Sequence, residues 1–375
     1  MKKILVTGSL GYIGSILIPY LSENNLECVG YDTGFFKDCY LYAPKEQKTI
    51  LKDMRDFTRN DLEDVDTVVH LAAISNDPLM SLPPEKFYDP VRRYTFKLAK
   101  LCKDMGIKFI FASSCSVYGR GDYQLLSEES GIYPQTPYSL NKVQIENDLR
   151  KISDEDFSPI ILRFATAYGL SPCMRFDIVI NMFIGMAFTT KKIVLNSDGK
   201  AWRPFIHIGD ICKAIRYCIG YDNHSGKPLI LNAGDTQENF QIIDIAKMIE
   251  NEIPSCEITY LQNIRNLSPS KNLDLVTDRK VQDDVDTRTY KVSFKLIRTT
   301  LPGFQCDWSV QKGIRAMLEY FKELPLTKEQ FDHINFYRLQ KMEYLLKNGY
   351  LSEGLCWINK VGIKGEKDNN AKSLS

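Results

Sequence analysis

Thr7-Gly-Ser-Leu-Gly-Tyr-Ile-Gly14 connects an apolar run, Lys3–Thr7, to a helix-like segment, Ser15–Ser22, near the start of a chain of 375 residues. Glycines let the chain turn tightly at such a place, and they let backbone N–H groups approach a pyrophosphate at the N-terminus of the helix. The order of strand, glycines and helix therefore predicts a turn that binds a dinucleotide. The predicted cofactor-binding residues of this turn are Gly8, Gly11, Tyr12, Ile13 and Gly14.

The rest of the first half repeats the alternation of short β-branched runs and helix-like segments. This pattern is typical of a parallel sheet covered by helices on both faces. We therefore predict an α/β fold, a Rossmann doubly wound parallel sheet followed by a smaller α/β C-terminal substrate domain. The predicted strands are Lys3–Thr7, Cys28–Asp32, Thr49–Leu51, Thr67–Leu71, Lys108–Ala112 and Pro159–Arg163, and the predicted helices are Ser15–Ser22, Glu85–Met105 and Tyr138–Ile152.

The pattern loosens after about Leu170, which sets the predicted domain limits. Residues 1–170 form the cofactor-binding domain and residues 171–322 mainly the substrate domain, with part of 203–235 returning to the first domain. Residues 323–375 are predicted to be a separate helical extension, with one helix at Thr327–Lys347 and a disordered end from about Lys360. Further predicted elements are helices at Asp177–Phe188, Asn239–Glu252 and Ser309–Lys322, a strand and helix within Arg203–Ile219, a strand at Leu229–Asn232 and a surface loop at Asn263–Asp286.

Composition and charge exclude several classes of partner. The formal net charge is +1, so we expect neither nucleic acid nor an anionic membrane as the main partner. The ten cysteines are scattered and none has zinc-site spacing, so we predict no metal and a reducing, cytoplasmic location. The apolar run at the start is too short for a signal peptide, and no stretch approaches 18 apolar residues.

Asp32 indicates which dinucleotide binds. It ends the second predicted strand, close to the distance expected for the acid that holds the adenosine ribose hydroxyls. A carboxylate accepts hydrogen bonds from a free 2′-hydroxyl and repels a 2′-phosphate. No arginine follows within Thr33–Phe36. The sequence therefore favours NAD over NADP.

Tyr138 and Lys142 are candidates for acid–base chemistry because residues four apart on a helix share one face. A tyrosine is a poor base at neutral pH, but a nearby ammonium favours its phenolate. The predicted strand Lys108–Ala112 leads into Ser113-Ser-Cys-Ser-Val-Tyr-Gly119, at the sheet edge where open α/β sheets bind ligands. Ser114 could there hydrogen-bond the oxygen whose proton Tyr138 takes.

As a set, these residues resemble the extended short-chain dehydrogenase/reductases, specifically the nucleotide-sugar epimerase/dehydratase family. The resemblance covers roughly residues 1–322. It is carried by the glycine turn, Asp32, Tyr138 and Lys142, together with Asp53-Met-Arg-Asp, His70-Leu-Ala-Ala, Ser113–Gly119, Leu162-Arg-Phe-Ala-Thr-Ala-Tyr-Gly169 and Trp202-Arg-Pro-Phe-Ile-His-Ile-Gly-Asp210.

The resemblance implies a role for each matched residue. Tyr138 is then the base and acid, Lys142 lowers its pKa and holds the nicotinamide ribose, and Ser114 positions the sugar hydroxyl. Arg203 and Arg288 bind the diphosphate of a nucleotide-diphosphosugar, since guanidinium groups suit phosphate oxygens. The further implied contacts are Asp53 and Met54 along the adenine, Leu71, Ala72 and Ala73 in the cofactor cleft, and Ser116 and Thr166 at the substrate.

Departures from the family pattern narrow the reaction. Relatives that eliminate water across C5–C6 carry two acidic residues directly after the catalytic hydroxyl, where this chain has Cys115 and Ser116. A 4,6-dehydratase is therefore not expected. Family members usually have an asparagine in the helix before the fifth strand, and this chain has Arg93 or Tyr94 in its place.

Several functions stay open on the sequence. The leading hypothesis is an epimerase that oxidises a sugar hydroxyl, most often at C4, and reduces the keto-sugar again. The alternatives are a 4-oxidase that releases the keto-sugar, an enzyme acting on a non-nucleotide alcohol, and a non-catalytic NAD-sensing protein. The resemblance also implies a homodimer formed through Glu85–Met105 and the helix that bears Tyr138.

Overall fold

The computed structural model describes residues 2–75, 84–261 and 288–358, and its centre is a seven-stranded sheet. Every neighbouring pair of strands in this sheet is parallel. The strands, in spatial order, are β3 (Thr49–Leu51), β2 (Glu27–Asp32), β1 (Lys3–Thr7), β4 (Thr67–His70), β5 (Lys108–Ser114), β7 (Ile160–Phe164) and β11 (Leu229–Ala233). From β1 the strands are added towards one edge of the sheet, and from β4 onward they are added towards the other edge. Open α/β sheets bind ligands at this switch point, between β1 and β4.

Helices cover both faces of the sheet because consecutive residues of its strands are apolar, so that each face carries apolar side chains. Ile4 and Val6 of β1 pack on one face, against α1 (Gly14–Glu23) and α5 (Ile208–Gly220). Leu5 packs on the other face, towards α2 (Pro84–Asp104) and α3 (Pro137–Ile152). The predicted doubly wound Rossmann sheet is confirmed.

The start of α3 follows local chemistry. The Thr136 side chain accepts a hydrogen bond of 3.2 Å from Ser139 N, and Pro137 is the first helical residue. Proline suits this position because the first helical N–H groups have no partner within the helix. This cap fixes where the helix that carries Tyr138 begins.

Smaller sheets and helices form a second apolar core beside the main sheet. β8 (Thr166–Tyr168), β10 (Trp202–His207) and β12 (Asn239–Gln241) form one sheet, β9 (Lys192–Leu195) pairs with β13 (Glu257–Tyr260), and β6 (Arg120–Leu126) pairs with β14 (Thr289–Val292). The helices of the second core are α4 (Val179–Thr190), α6 (Ile242–Glu252) and α8 (Val310–Glu323). By contrast, the β6–β14 pair and α7 (Lys295–Thr300) pack in the core of the main sheet, through Leu126, Val292 and Ile297. The helix predicted at Asn239–Glu252 starts later, because its first three residues pair with β10.

The C-terminal segment, defined here as residues 324–358, departs from the prediction of one separate helix at Thr327–Lys347. It forms α9 (Lys328–Asp332), a 3₁₀ turn at Ile334–Phe336 and α10 (Arg338–Lys347). Phe331 and Phe336 are both buried in the second core. On one continuous helix, two residues that are five positions apart would point in directions about 140° apart around the helix axis, so they could not both face this core. The helix breaks so that both rings enter the core. The folded body therefore continues beyond Lys322.

Two predictions lie outside the described residues: the surface loop at Asn263–Asp286 and the disordered end from about Lys360. Among the residues that the structure describes, no helix is both long and apolar enough to cross a membrane.

Candidate active site

A cavity of about 550 Å³ opens at the carboxyl ends of β1, β2, β4 and β5. It brings together nearly all of the residues predicted to bind cofactor or substrate. The predicted residues that line it are Gly8, Gly11, Tyr12, Ile13, Gly14, Asp32, Met54, Leu71, Ala72, Ala73, Ser114, Ser116, Tyr138, Lys142, Thr166, Arg203 and Arg288.

The glycine turn is built so that only glycine fits. Gly8 has a φ of +72°, a left-handed conformation that side chains rarely adopt, and its N–H donates to Tyr31 O over 2.8 Å. A Cβ on Gly14 would lie 2.3 Å from Gly8 O. The backbone therefore comes close to the N-terminus of α1, which leaves a concave, glycine-lined surface that fits the pyrophosphate of a dinucleotide.

Asp32 is fixed at the other side of this turn. Its carboxylate accepts hydrogen bonds from Leu10 N at 3.0 Å and from Gly34 N at 2.7 Å. Burial raises the pKa of Asp32, and the two N–H donors oppose that rise. Because a carboxylate can accept about four hydrogen bonds, two positions remain for ribose hydroxyls. The residues present thus fit NAD.

Asp53 is the exception among the predicted site residues, because it is not part of the cavity lining. Its carboxylate accepts hydrogen bonds from Arg55 N at 2.9 Å and from Arg55 Nε at 2.7 Å. This pairing caps a short 3₁₀ turn and engages the carboxylate outside the cavity lining. The neighbouring Met54 lines the cavity and is buried.

Lys142 is buried at the centre of the site. Its Nζ donates a hydrogen bond of 2.6 Å to Ala112 O and lies 4.7 Å from the centre of the Phe111 ring. Burial lowers the pKa of Lys142 to about 8, and the nearby Glu146 carboxylate opposes that change. The amine is therefore mostly protonated at neutral pH, beside the ring of Tyr138.

The turn after β5 presents two hydroxyls to the cavity. Ser114 Oγ accepts a hydrogen bond of 3.1 Å from Ser116 N. Ser116 Oγ is buried and finds no hydrogen-bond partner within the described part of the chain. An unpaired buried hydroxyl is costly, so this group is suited to a ligand. Cys115 instead points into the core, where its Sγ donates to Arg163 O at 3.1 Å.

Arg203 and Arg288 lie together at the far end of the cavity. Arg203 Nη1 donates to the carbonyl oxygens of Arg288 and, at 2.9 Å, of Trp202. The Arg203 guanidinium carbon also lies 5.2 Å from the centre of the Tyr290 ring. These contacts hold two arginines, 85 positions apart in sequence, on one wall.

The comparisons with known proteins agree with this geometry. Residues 4–234 match the model of the NAD dependent epimerase/dehydratase family. The chain belongs to this family. NAD is its cofactor. The structure of TunA, an NAD-dependent NDP-hexosamine 5,6-dehydratase, is similar with a TM-score of 0.72 and 22% identity, over 86% of this chain and 98% of that one.

Two curated relatives from the epimerase/dehydratase family each match about two thirds of the chain. A protein described as an uncharacterized UDP-glucose epimerase, from Bacillus subtilis, is 30% identical over 66% of this chain and 81% of its own length. A putative UDP-glucose 4-epimerase from Methanocaldococcus jannaschii is 28% identical over 67% of this chain and 82% of its own length.

This member of the epimerase/dehydratase family has cavity residues that sequence reasoning missed. Arg175 and Asp177 follow β8 in the chain and line the cavity. Arg338 and Met342 come from α10, for which no local motif gave a signal. Of the two residues predicted to replace the family asparagine, Tyr94 lines the cavity and donates to Ala72 O at 3.2 Å.

Proposed function

We propose that the chain is an epimerase that oxidises a sugar hydroxyl of a nucleotide-diphosphosugar, most often at C4, and then reduces the keto-sugar on its other face. One observation carries the proposal. A single cavity is lined by the glycine turn, by Ser114, Tyr138 and Lys142, and by the Arg203–Arg288 pair. It therefore offers a dinucleotide site, an acid–base group and a diphosphate site side by side.

Each residue has a separate task in this mechanism. NAD, when bound, supplies a reversible acceptor for the hydrogen of the sugar carbon. Tyr138 takes the hydroxyl proton and later returns it, while the Lys142 cation favours the phenolate. Ser114 holds the reacting oxygen. The two arginines fix the diphosphate, which leaves the sugar as the part of the substrate free to turn over.

The positions after Ser114 disfavour a dehydratase. Elimination of water needs an acid–base pair next to the sugar, and Cys115 and Ser116 carry no carboxylate. The Cys115 side chain also lies in the core and not in the cavity, because its thiol donates a hydrogen bond to Arg163 O. A 4-oxidase uses the same first step as an epimerase, so it is the second candidate.

Product analysis separates these two outcomes. We would incubate the purified chain with a panel of UDP-, dTDP-, GDP- and CDP-sugars, follow absorbance at 340 nm, and identify the sugars by chromatography. An epimerase gives a second sugar with no accumulation of NADH. Keto-sugar released together with an equal amount of NADH would instead identify a 4-oxidase. Neither product with any sugar would contradict the proposed chemistry.

Arg203→Leu tests the substrate class. Loss of the guanidinium should weaken binding of the nucleoside diphosphate by about 10- to 100-fold, because charge-assisted hydrogen bonds are lost. Arg298→Leu in α7 is a matched control, since it does not line the cavity. Unchanged binding in Arg203→Leu would favour a non-nucleotide alcohol as substrate.

The organisation of the molecule is part of this proposal. Residues 1–170 hold the cofactor and residues 171–322 mainly hold the nucleotide-sugar, with β11 beside β7 in the main sheet. We further propose a homodimer formed through α2 and α3. Sedimentation equilibrium of the purified chain would give the mass of one or of two chains.

A further inference from the structure

Arg338, the first residue of α10, reaches the cofactor end of the cavity from a part of the chain beyond the family match. It is buried, and its Nη2 donates to Cys173 O at 3.2 Å and contacts Cys173 Sγ at 3.0 Å. The guanidinium carbon lies 4.0 Å from the centre of the Phe36 ring. Phe36 belongs to the loop that follows Asp32.

No direct ion pair matches the charge of Arg338 among the residues that the structure describes. Within residues 2–75, 84–261 and 288–358, no carboxylate lies at salt-bridge distance from its guanidinium. The carboxylates of Asp32 and Asp177 interact electrostatically with the Arg338 guanidinium, but from beyond salt-bridge distance. The Asp177 carboxylate is engaged by Arg175 Nε at 2.8 Å and by the backbone N–H of Arg338 at 3.1 Å. A buried cation held by neutral groups is costly, which favours an anionic ligand.

The position of Arg338 points to the phosphates of the cofactor. Ser171 Oγ donates to Tyr12 O at 2.8 Å, just before α1. Cys173, which holds Arg338, follows two residues later. Arg338 thus packs against a short stretch, Ser171–Cys173, whose other end contacts the turn before α1, where the positive end of the helix dipole favours a phosphate.

The rest of the C-terminal segment is fastened to the loop after β2. Trp357 Nε1 donates to Thr33 O at 2.8 Å, and its ring lies 5.8 Å from that of Phe35. Arg55 Nη2 donates to Leu355 O at 2.7 Å. Met342 contributes to the cavity wall itself. The segment therefore closes the adenosine end of the cavity from outside.

We propose that the C-terminal segment completes the cofactor site: Arg338 contacts phosphate oxygens of bound NAD, and Trp357 keeps the loop after Asp32 closed over it. The inference rests on NAD binding in this cavity, and it extends the proposed function. A retained cofactor suits an epimerase, which regenerates NAD in every turnover, whereas an oxidase must exchange it.

The first experiment compares the full chain with Arg338→Met after removal of bound nucleotide. Calorimetric titration should show about 10- to 100-fold weaker binding of NAD and of ADP, and unchanged binding of adenosine, which has no phosphate. Arg338→Lys should recover part of the affinity. Arg315→Met, in an exposed ion pair on α8, is the matched control and should bind NAD like the parent chain.

Four results would overturn the role of Arg338. These are NAD affinity within twofold of the parent, an equal loss of adenosine binding, weaker binding of UDP with NAD unaffected, or a lower unfolding temperature of the nucleotide-free variant that accounts for the loss. No sugar is present in these titrations, so they remain informative even if the proposed sugar chemistry fails.

The second experiment tests retention. Trp357→Ala should release bound NADH about tenfold faster than the parent, because the loop after Asp32 loses its anchor. Ile358→Ala is the matched control, since that side chain is 55% exposed. Release is followed by the loss of fluorescence of bound NADH during a chase with excess NAD. Equal release rates in Trp357→Ala and the parent would overturn the closing role of the segment.

Discussion

The ammonium nitrogen of Lys142 lies 5.6 Å from the centre of the Tyr138 ring, one turn earlier on α3. Residues four apart meet on one face of a helix, so the spacing alone brings the two side chains together. The hydrogen bond to Ala112 O then fixes the lysine against the end of β5. This arrangement is what a tyrosine base requires, because a held cation favours its phenolate.

Tyr138→Phe should reduce turnover by about 100- to 10,000-fold, since the phenol is the group that takes the proton. NAD binding should change little, because the ring and Lys142 remain. Steady-state kinetics and NAD titration measure the two effects separately. Tyr133→Phe provides the control, as that side chain is 65% exposed. A Tyr138→Phe variant with parent-like turnover would contradict the proposed mechanism.

Lys142→Met should abolish activity and yet stabilise the cofactor-free protein at pH 7. Burial lowers the pKa of Lys142 in the folded protein to about 8, from the ordinary value of 10.5 for lysine. Below pH 8 the folded protein carries the whole cost of the buried charge, about 3 kcal/mol. Lys142→Met also removes the hydrogen bond to Ala112 O, and this loss offsets about 1 kcal/mol of the stabilisation. We therefore expect a net gain of about 2 kcal/mol in the free energy of unfolding.

The lowered pKa of Lys142 also determines how the stability difference between Lys142→Met and the parent chain changes with pH. Between pH 8 and 10.5 the folded protein has lost the proton that the unfolded chain keeps, so the cost of Lys142 disappears as pH rises. Urea unfolding at pH 7 and pH 10 should show the advantage of Lys142→Met shrinking by about 2 kcal/mol. Lys151→Met, at an exposed position of α3, should show no such change. A pH-independent difference for Lys142→Met would refute this account.

Asp32→Asn should weaken NAD binding by about 10- to 100-fold, because hydrogen bonds from ribose hydroxyls to a charged acceptor are lost. It should also narrow the preference for NAD over NADP, since a carboxylate no longer repels the 2′-phosphate. Titration with both dinucleotides gives the ratio of affinities. Asp38→Asn is exposed and lies in the same loop, which makes it the control. An unchanged ratio would remove Asp32 from cofactor selection.

The cofactor turn could be predicted because its determinants are close together in sequence. Strand, glycines and helix fall within Lys3–Glu23, and β1 has the same bounds, Lys3–Thr7, as the predicted strand. The cap at Thr136 and Pro137 is equally local. Asp53 stayed outside the cavity because Arg55, two residues away, captures its carboxylate.

The C-terminal segment shows where sequence reasoning reaches its limit. Its break between α9 and α10 depends on space for Phe331 and Phe336 in a core formed by distant helices. The place of Arg338 depends on Cys173, 165 residues earlier. Neither contact leaves a periodic pattern in the segment itself, so only the assembled fold brings Arg338 into the cavity.

The ion pair between Glu146 and Arg163 gives the last prediction. Glu146 Oε2 lies 2.6 Å from Arg163 Nη2, and both side chains are at most 3% exposed. Ser113 Oγ donates to the same carboxylate at 2.5 Å, which links α3 to β5 and β7 behind the site. Removing one member of a buried pair leaves the other charge uncompensated.

Glu146→Gln should therefore lower the free energy of unfolding by about 3 kcal/mol, as measured by urea denaturation. Glu319→Gln breaks an exposed ion pair on α8 and should change the same quantity by less than about 0.5 kcal/mol. Combining Glu146→Gln with Arg163→Met should cost less than the sum of the two single changes, because no buried charge is then left unpaired. Additive losses would show that the two side chains act independently, and a loss below about 1 kcal/mol for Glu146→Gln would show that the pair is not a main support of the site.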